Sequence, residues 1–186
     1  MTMYYFGIII KALYFALPAY FANMAPVIFA KVGWLKSLNY PIDDGKKIGK
    51  QELFGKGKTW RGIVSAVILA MVVSAIQSGL YHFNPFWNIS LINYPRHFLL
   101  FGFLAGLGAI LGDLVKSFIK RRINISSGKS WPVFDQLDFI VGFLLFTYFL
   151  ATPSNYIILV VILLTIVLHP LTNIIGYLLK IKKVWW

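Results

Sequence analysis

The sequence predicts an all-α integral membrane protein of five transmembrane helices joined by two basic cytosolic loops. Three observations predict it. Hydrophobic residues make up 59% of the chain and charged residues only 13%, too little polar surface to coat a water-soluble fold. Five apolar runs, at about 3–31, 62–80, 96–119, 135–151 and 156–179, reach or approach the ~20 residues a helix needs to cross a bilayer. Sixteen of the 18 Lys and Arg residues fall in three regions, 31–61, 116–129 and 180–183, which five spans place on one side of the membrane.

The first span, 3–31, is interrupted by Pro18 and Pro26 and carries Asn23. Proline frees a carbonyl in a membrane helix, and the freed group must find an internal partner. Asn23 either bonds a neighbouring helix or lines a lipid cavity. The span is too long for a signal peptide and lacks a small-residue cleavage pattern, so no cleavage is expected. The loop 32–61 holds Asp43, Asp44 and Glu52 among many lysines; Asp43 and Asp44 either join the site or turn the loop, with the turn the favoured reading and Asp43 the better site candidate. Its end, FGKGKTWRG, runs into the second span with Thr59 placed as N-cap. Residues 81–95 read as a short outer loop.

The third span carries Gly102, Gly106, Gly108 and Gly112, two GxxxG pairs that let helices pack backbone to backbone. A second basic loop, 120–134, leads to the fourth span; Thr152 to Asn155 then turn the chain into the fifth. There His169-Pro170 reads as a kink rather than a site. Lys180, Lys182 and Lys183 close the chain, and Trp185 and Trp186 suit the membrane interface. The whole reads as one membrane domain, 1–186, in the cell membrane, with the N-terminus outside and the C-terminus cytosolic. Oligomeric state is not legible.

Net charge is +12, which in a soluble protein would point to nucleic acid. Here the bases flank spans, so a membrane surface or a phosphorylated small molecule fits, and no nucleic-acid partner is expected. There are no cysteines, and the three histidines, His82, His97 and His169, show no ligand spacing.

The chemistry concentrates between Gly112 and Phe139, which holds three of the six carboxylates, Asp113, Asp135 and Asp138. If the third span enters at residue 96, Asp113 lies about 26 Å along it, near the inner edge of a hydrocarbon layer of about 30 Å. Asp135 and Asp138 open the fourth span from the same side. All three are therefore expected to meet at one depth. Asp113, Lys116, Ser117 and Lys120 share one helical face, and so do Asp135 and Asp138. Oxygen-only ligands suit Mg2+, so the three aspartates are the candidate metal ligands. Lys116, Lys120, Arg121 and Arg122 suit a polyphosphate. GKGKT is not a Walker A motif, because Glu52 stands where its first glycine belongs. It still offers close backbone approach at Gly57 and donors at Lys58, Thr59 and Arg61. The bland alternatives are ion pairs among these charges and a solvated basic loop.

Four elements in order resemble one family. They are Ala22-Asn23-Met24-Ala25-Pro26-Val27, the loop PIDxGK followed by FGxxKTxRG, then GDLxKSFxKRR, and PxxDQxDF. The last two are similar to the signature of phosphatidate cytidylyltransferases, with Gln136 where Arg is usual. Length, span number and all four elements together resemble the smaller archaeal branch, the CDP-archaeol synthases. The resemblance implies Mg2+-dependent transfer of CMP from CTP to an isoprenoid ether-lipid phosphate, with release of pyrophosphate. It implies that Asp113, Lys116, Asp135 and Asp138 are catalytic. It also implies that Gly57, Lys58, Thr59, Arg61, Ser117, Lys120, Arg121 and Arg122 hold the nucleotide, and that spans one, two and five house the lipid chains. A CDP-alcohol phosphotransferase would need a D-G-x-x-A-R run, which is missing. A non-enzymatic polybasic scaffold or small channel is the alternative class.

Overall fold

The computed structural model describes residues 2–182 and 184. Lys183, Trp185 and Trp186, expected at the closing interface, lie outside the described residues. Among the described residues, six α-helices account for most of the chain: α1 (Thr2–Val32), α2 (Trp60–Leu80), α3 (Asn84–Ile89), α4 (Tyr94–Arg122), α5 (Phe134–Ala151) and α6 (Asn155–Leu178). All but the short α3 are long and apolar enough to cross a membrane.

Helix α4 is the hub, packed on α1, α2 and α5. Its two glycine pairs serve different neighbours. A Cβ on Gly102 or Gly106 would come within 2.7 Å of the Cα of Met71 or Val67 on α2. A Cβ on Gly108 would come within 2.6 Å of the Gly142 carbonyl oxygen on α5, and one on Gly112 would strike that of Asp138. Membrane helices gain little from excluding lipid, so such close backbone contact supplies dispersion where the hydrophobic effect cannot. Between the helices, Phe15 of α1 packs with Phe101 of α4 and Phe143 of α5, at ring centroid separations of 4.9–6.1 Å.

The prolines of α1 are accommodated without breaking the helix. Pro18 has no N–H, so the carbonyl of Tyr14, four residues back, loses its helical donor. Gln77 of α2 supplies the replacement, its Nε2 donating to the Tyr14 oxygen at 2.6 Å. Farther along, the Tyr20 and Thr165 hydroxyls pair at 2.8 Å and tie α1 to α6.

Three boundaries differ from the sequence reading. Helix α4 runs on to Arg122, so Lys120, Arg121 and Arg122 form its last turn rather than a loop, where cations offset the helix dipole. Arg61 belongs to α2, which starts at Trp60 behind Thr59; the Thr59 hydroxyl accepts from Gly62 N at 3.2 Å, as its N-cap position requires. The 81–95 segment holds α3, started by Pro85 near its first turn.

The first loop folds back onto the end of α4. Strands β1 (Lys47–Ile48) and β2 (Gln51–Glu52) make a small antiparallel hairpin, turned at Gly49 with φ of 61°. Asp43 does turn the loop, its carboxylate accepting from Gly45 N at 3.1 Å and Phe54 N at 3.0 Å.

Candidate active site

Helical spacing puts Asp113, Lys116, Ser117 and Lys120 on one face of α4, and α5 opens against that face with Asp135 and Asp138 in its first turns. The contact of Gly112 with the Asp138 backbone presses the two helices together at the level of the acids. The Lys116 ammonium then lies among all three carboxylates, 3.2 Å from Asp113, 2.8 Å from Asp135 and 2.7 Å from Asp138. The Asp138 side chain is only 4% exposed. Three acids this close repel one another unless cations sit among them, and here Lys116 touches all three while Lys58 and Lys120 each pair with one.

Both basic loops close over this cluster. Lys58 of the first loop makes an ion pair with Asp113. That loop is held by α4: Arg122 Nη2 donates to Glu52 O at 2.6 Å and Arg121 Nε to Phe54 O at 3.4 Å. Gly55, buried at φ of 105°, lets the backbone pass beside Arg121 and Ser127. The second loop is tied down by Lys120, whose ammonium donates to Lys129 O at 2.6 Å and to Asp135 at 3.0 Å. Asp135 also accepts from Trp131 N at 2.5 Å, which fixes the entry to α5.

Between these parts lies a cavity of about 360 Å³, within the range of small-ligand pockets. Its walls carry six cationic side chains, Lys58, Lys116, Lys120, Arg121, Lys129 and Lys182, against the three aspartates. The surplus of positive charge suits a polyanion. Of the residues expected at the site, the cavity gathers Gly57, Lys58, Asp113, Lys116, Ser117, Lys120, Arg121, Asp135 and Asp138. Thr59 caps α2 and lines a smaller side pocket with Asp113. Arg61 and Arg122 are not among the cavity's lining residues; Arg122 instead anchors the loop and lies 5.1 Å from the Phe118 ring centre.

The cavity also takes residues the sequence reading left aside. His169 lines it rather than merely preceding a kink, together with Asn173, Lys182, Ser127 and Lys129; Asn23, for which a cavity is one of the two readings, lines it as well. The signal was present in α6: Thr165, His169, Thr172 and Asn173 recur at helical spacing in an otherwise apolar helix, and polar stripes in membrane spans mark function by default.

Among the described residues, no three acidic or imidazole groups form a ready-made metal cage. The three carboxylates share an ammonium instead. Their donor set is nonetheless oxygen-only and already converges on one cation, which is the chemistry that hard divalent ions take.

Comparison with known proteins gives a consistent result. The family model described as CarS-like, CDP-archaeol synthase, matches residues 5–186. The CDP-archaeol synthase of Methanocaldococcus jannaschii is 38% identical over 98% of this chain and 99% of its own. That of Methanopyrus kandleri is 40% identical over 95% and 92%, and that of Pyrococcus furiosus 36% over 96% and 98%. A solved structure of an intramembrane enzyme for archaeal membrane lipid biosynthesis superposes with a TM-score of 0.70 at 27% identity, covering 88% of this chain and 92% of that one.

Proposed function

We infer the chemistry from one premise: the chain belongs to the CDP-archaeol synthase family. It is a multi-pass membrane enzyme that transfers a cytidylyl group in archaeal lipid biosynthesis, which sets aside the scaffold and channel alternatives. We propose that CTP is the donor and an isoprenoid ether-lipid phosphate the acceptor, giving CDP-archaeol and pyrophosphate. An oxygen of the lipid phosphate attacks the α-phosphorus of CTP, and the bond from that phosphorus to the β-phosphate bridge breaks. The acceptor is already an anion, so no strong base is needed. What the reaction requires is in-line positioning and charge neutralisation.

The single observation that carries this reading is the meeting of Asp113, Asp135 and Asp138 around Lys116 beneath Lys58. Lys58, Lys120 and Lys129 face the same cavity and suit the triphosphate and the departing pyrophosphate. Lys116 keeps the acids together in the resting site, and its flexible stem lets the ammonium turn toward an entering phosphate. Asp113, Asp135 and Asp138 would hold Mg2+, which when bound supplies positive charge to phosphate oxygens. Arg121 and Arg122 keep the first loop in place, so that Lys58 stays over Asp113.

The orientation we propose puts the N-terminus outside and the C-terminus in the cytosol, because five spans put the regions holding 16 of the 18 Lys and Arg residues on one side, and such residues collect on the cytosolic side. The chain has no cysteine, so single cysteines introduced at Lys50 and Asn84 can be labelled cleanly in intact cells or sealed vesicles. Only the one at position 84 should react from outside. The activity test is purified protein with labelled CTP, lipid phosphate and Mg2+. Formation of CDP-lipid with one pyrophosphate per turnover supports the donor and acceptor; no product across several detergents and lipids rejects them.

A further inference from the structure

Two apolar grooves adjoin the cavity, and they differ in the charges a phosphate would meet. One, of about 430 Å³, runs between α1 and α6, with Met24, Val27, Ile28, Ile175 and Leu179 in its walls. It shares two cations, Lys58 and Lys182, and one carboxylate, Asp113, with the polar cavity, along with His169 and Asn173, so groove and cavity form one continuous space. The other, of about 600 Å³, lies on the outer face of α4 and α5. It touches the site through Lys116 and Asp138, which are already paired with each other at 2.7 Å. A phosphate arriving there would face one carboxylate and a lysine committed to three acids, with no second lysine or arginine in the groove wall.

Lys182 is placed for the first groove by a specific turn. The chain reverses at the end of α6, where Lys180 N donates to Tyr177 O at 2.9 Å and Ile181 N to Gly176 O at 2.8 Å. This is the Schellman pattern, with Lys180 at φ of 56° where glycine is usual. Lys31 at the end of α1 pins the turn by donating to Lys180 O at 2.5 Å. Gly176 leaves room for the Lys182 stem, which would lie 3.4 Å from a Cβ at that position. The Lys182 ammonium thus turns inward and donates to Asn173 Oδ1 at 2.7 Å, while Asn173 Nδ2 lies 3.5 Å from His169 Nδ1. Burial lowers the pKa of this lysine and Asp135 pulls it back up. A lysine just beyond the end of a helix would ordinarily reach for water.

We propose that Lys182, positioned by Asn173, binds the phosphate of the acceptor lipid, and that the α1–α6 groove holds the adjoining isoprenoid chains. The assignment rests on the cytidylyltransferase reading and adds to it a place for the second substrate. An amphiphile of this kind has an anionic head for the cation-lined cavity and an apolar tail for the groove continuous with it. CTP has no such tail.

Two measurements on the full-length protein test it. In steady-state kinetics with each substrate varied, Lys182→Met raises KM for lipid phosphate about ten- to a hundredfold, as loss of one charge-assisted hydrogen bond predicts, and leaves KM for CTP within about twofold. Lys182→Arg restores most of the loss. Ile175→Trp, which fills the groove, impairs a long-chain acceptor but not a short-chain one, and Val141→Trp in the other groove impairs neither. A rise in KM for CTP alone, or a lipid defect confined to Val141→Trp, overturns the proposal. Independently of turnover, a diazirine-bearing isoprenoid phosphate should crosslink to α1 and to residues 172–181. Crosslinking confined to residues 111–146 contradicts it. If the wild-type protein makes no CDP-lipid, the cytidylyltransferase reading fails, and the crosslink still decides where the lipid phosphate binds.

Discussion

The Lys116 ammonium lies 2.7 Å from the Asp138 carboxylate, joining α4 to α5, and the same ammonium reaches Asp113 and Asp135. One lysine therefore bridges acids from two helices, with Lys58 adding positive charge at Asp113 and Lys120 at Asp135. Lys116→Met leaves the buried Asp138 without its cation, while Lys58 and Lys120 still pair with Asp113 and Asp135, and should destabilise the protein by about 3–5 kcal/mol. Millimolar Mg2+ should then raise the unfolding midpoint of the variant more than that of the wild type, because the acids need a cation from solution. Thermal unfolding in detergent, with and without Mg2+, measures both effects.

The bond from Gln77 to the Tyr14 carbonyl exists because Pro18 removed the helical donor. Gln77→Leu should cost about 1–2 kcal/mol, since the buried carbonyl then has no partner. In a Pro18→Ala background the backbone N–H returns, and the same substitution should cost less. A double-mutant cycle on unfolding free energies reads the difference.

Packing at Gly112 sets the distance between the acids. Gly112→Ala would drive its Cβ into the Asp138 carbonyl, pushing α5 away at a cost of about 1–3 kcal/mol and lowering kcat as well. Gly79 of α2 has open space around it, and Gly79→Ala should gain about 0.5–1 kcal/mol with activity unchanged. Unfolding midpoints and turnover on the two variants separate close packing from helix propensity.

Much of this was legible in the sequence, for a physical reason. Hydropathy and charge placement are local properties, so the five spans and the common depth of Asp113, Asp135 and Asp138 could be read from spacing alone. Both GxxxG pairs read as packing surfaces, although not which neighbour each would meet. Lys116 at the centre of the acids was not legible, because i, i+3 spacing places a side chain on a face without saying which way its end turns. Lys182 was missed because a backbone reversal, not a periodic pattern, carries it into the cavity. Arg122 was grouped with the phosphate ligands by its neighbours in the chain, yet it lies one helical step off the cavity face and bonds Glu52 O instead.

That bond makes a further prediction. Arg122→Ala should loosen the first loop without removing any group from the cavity wall. KM for CTP should rise, because Lys58 is carried by that loop, and trypsin should cut faster between Lys46 and Lys50. Limited proteolysis and CTP-dependent kinetics on one preparation check the two together.

Pyrophosphate release from CTP by Asp138→Asn protein, with lipid phosphate and Mg2+ saturating and unfolding followed on the same sample, bears most directly on the convergence of the acids as a reaction centre. Turnover should fall about a hundredfold or more while the unfolding midpoint moves by a few degrees at most, since Lys116 keeps Asp113 and Asp135. Wild-type turnover from the Asn variant, or lost turnover fully accounted for by lost folding, would contradict the account.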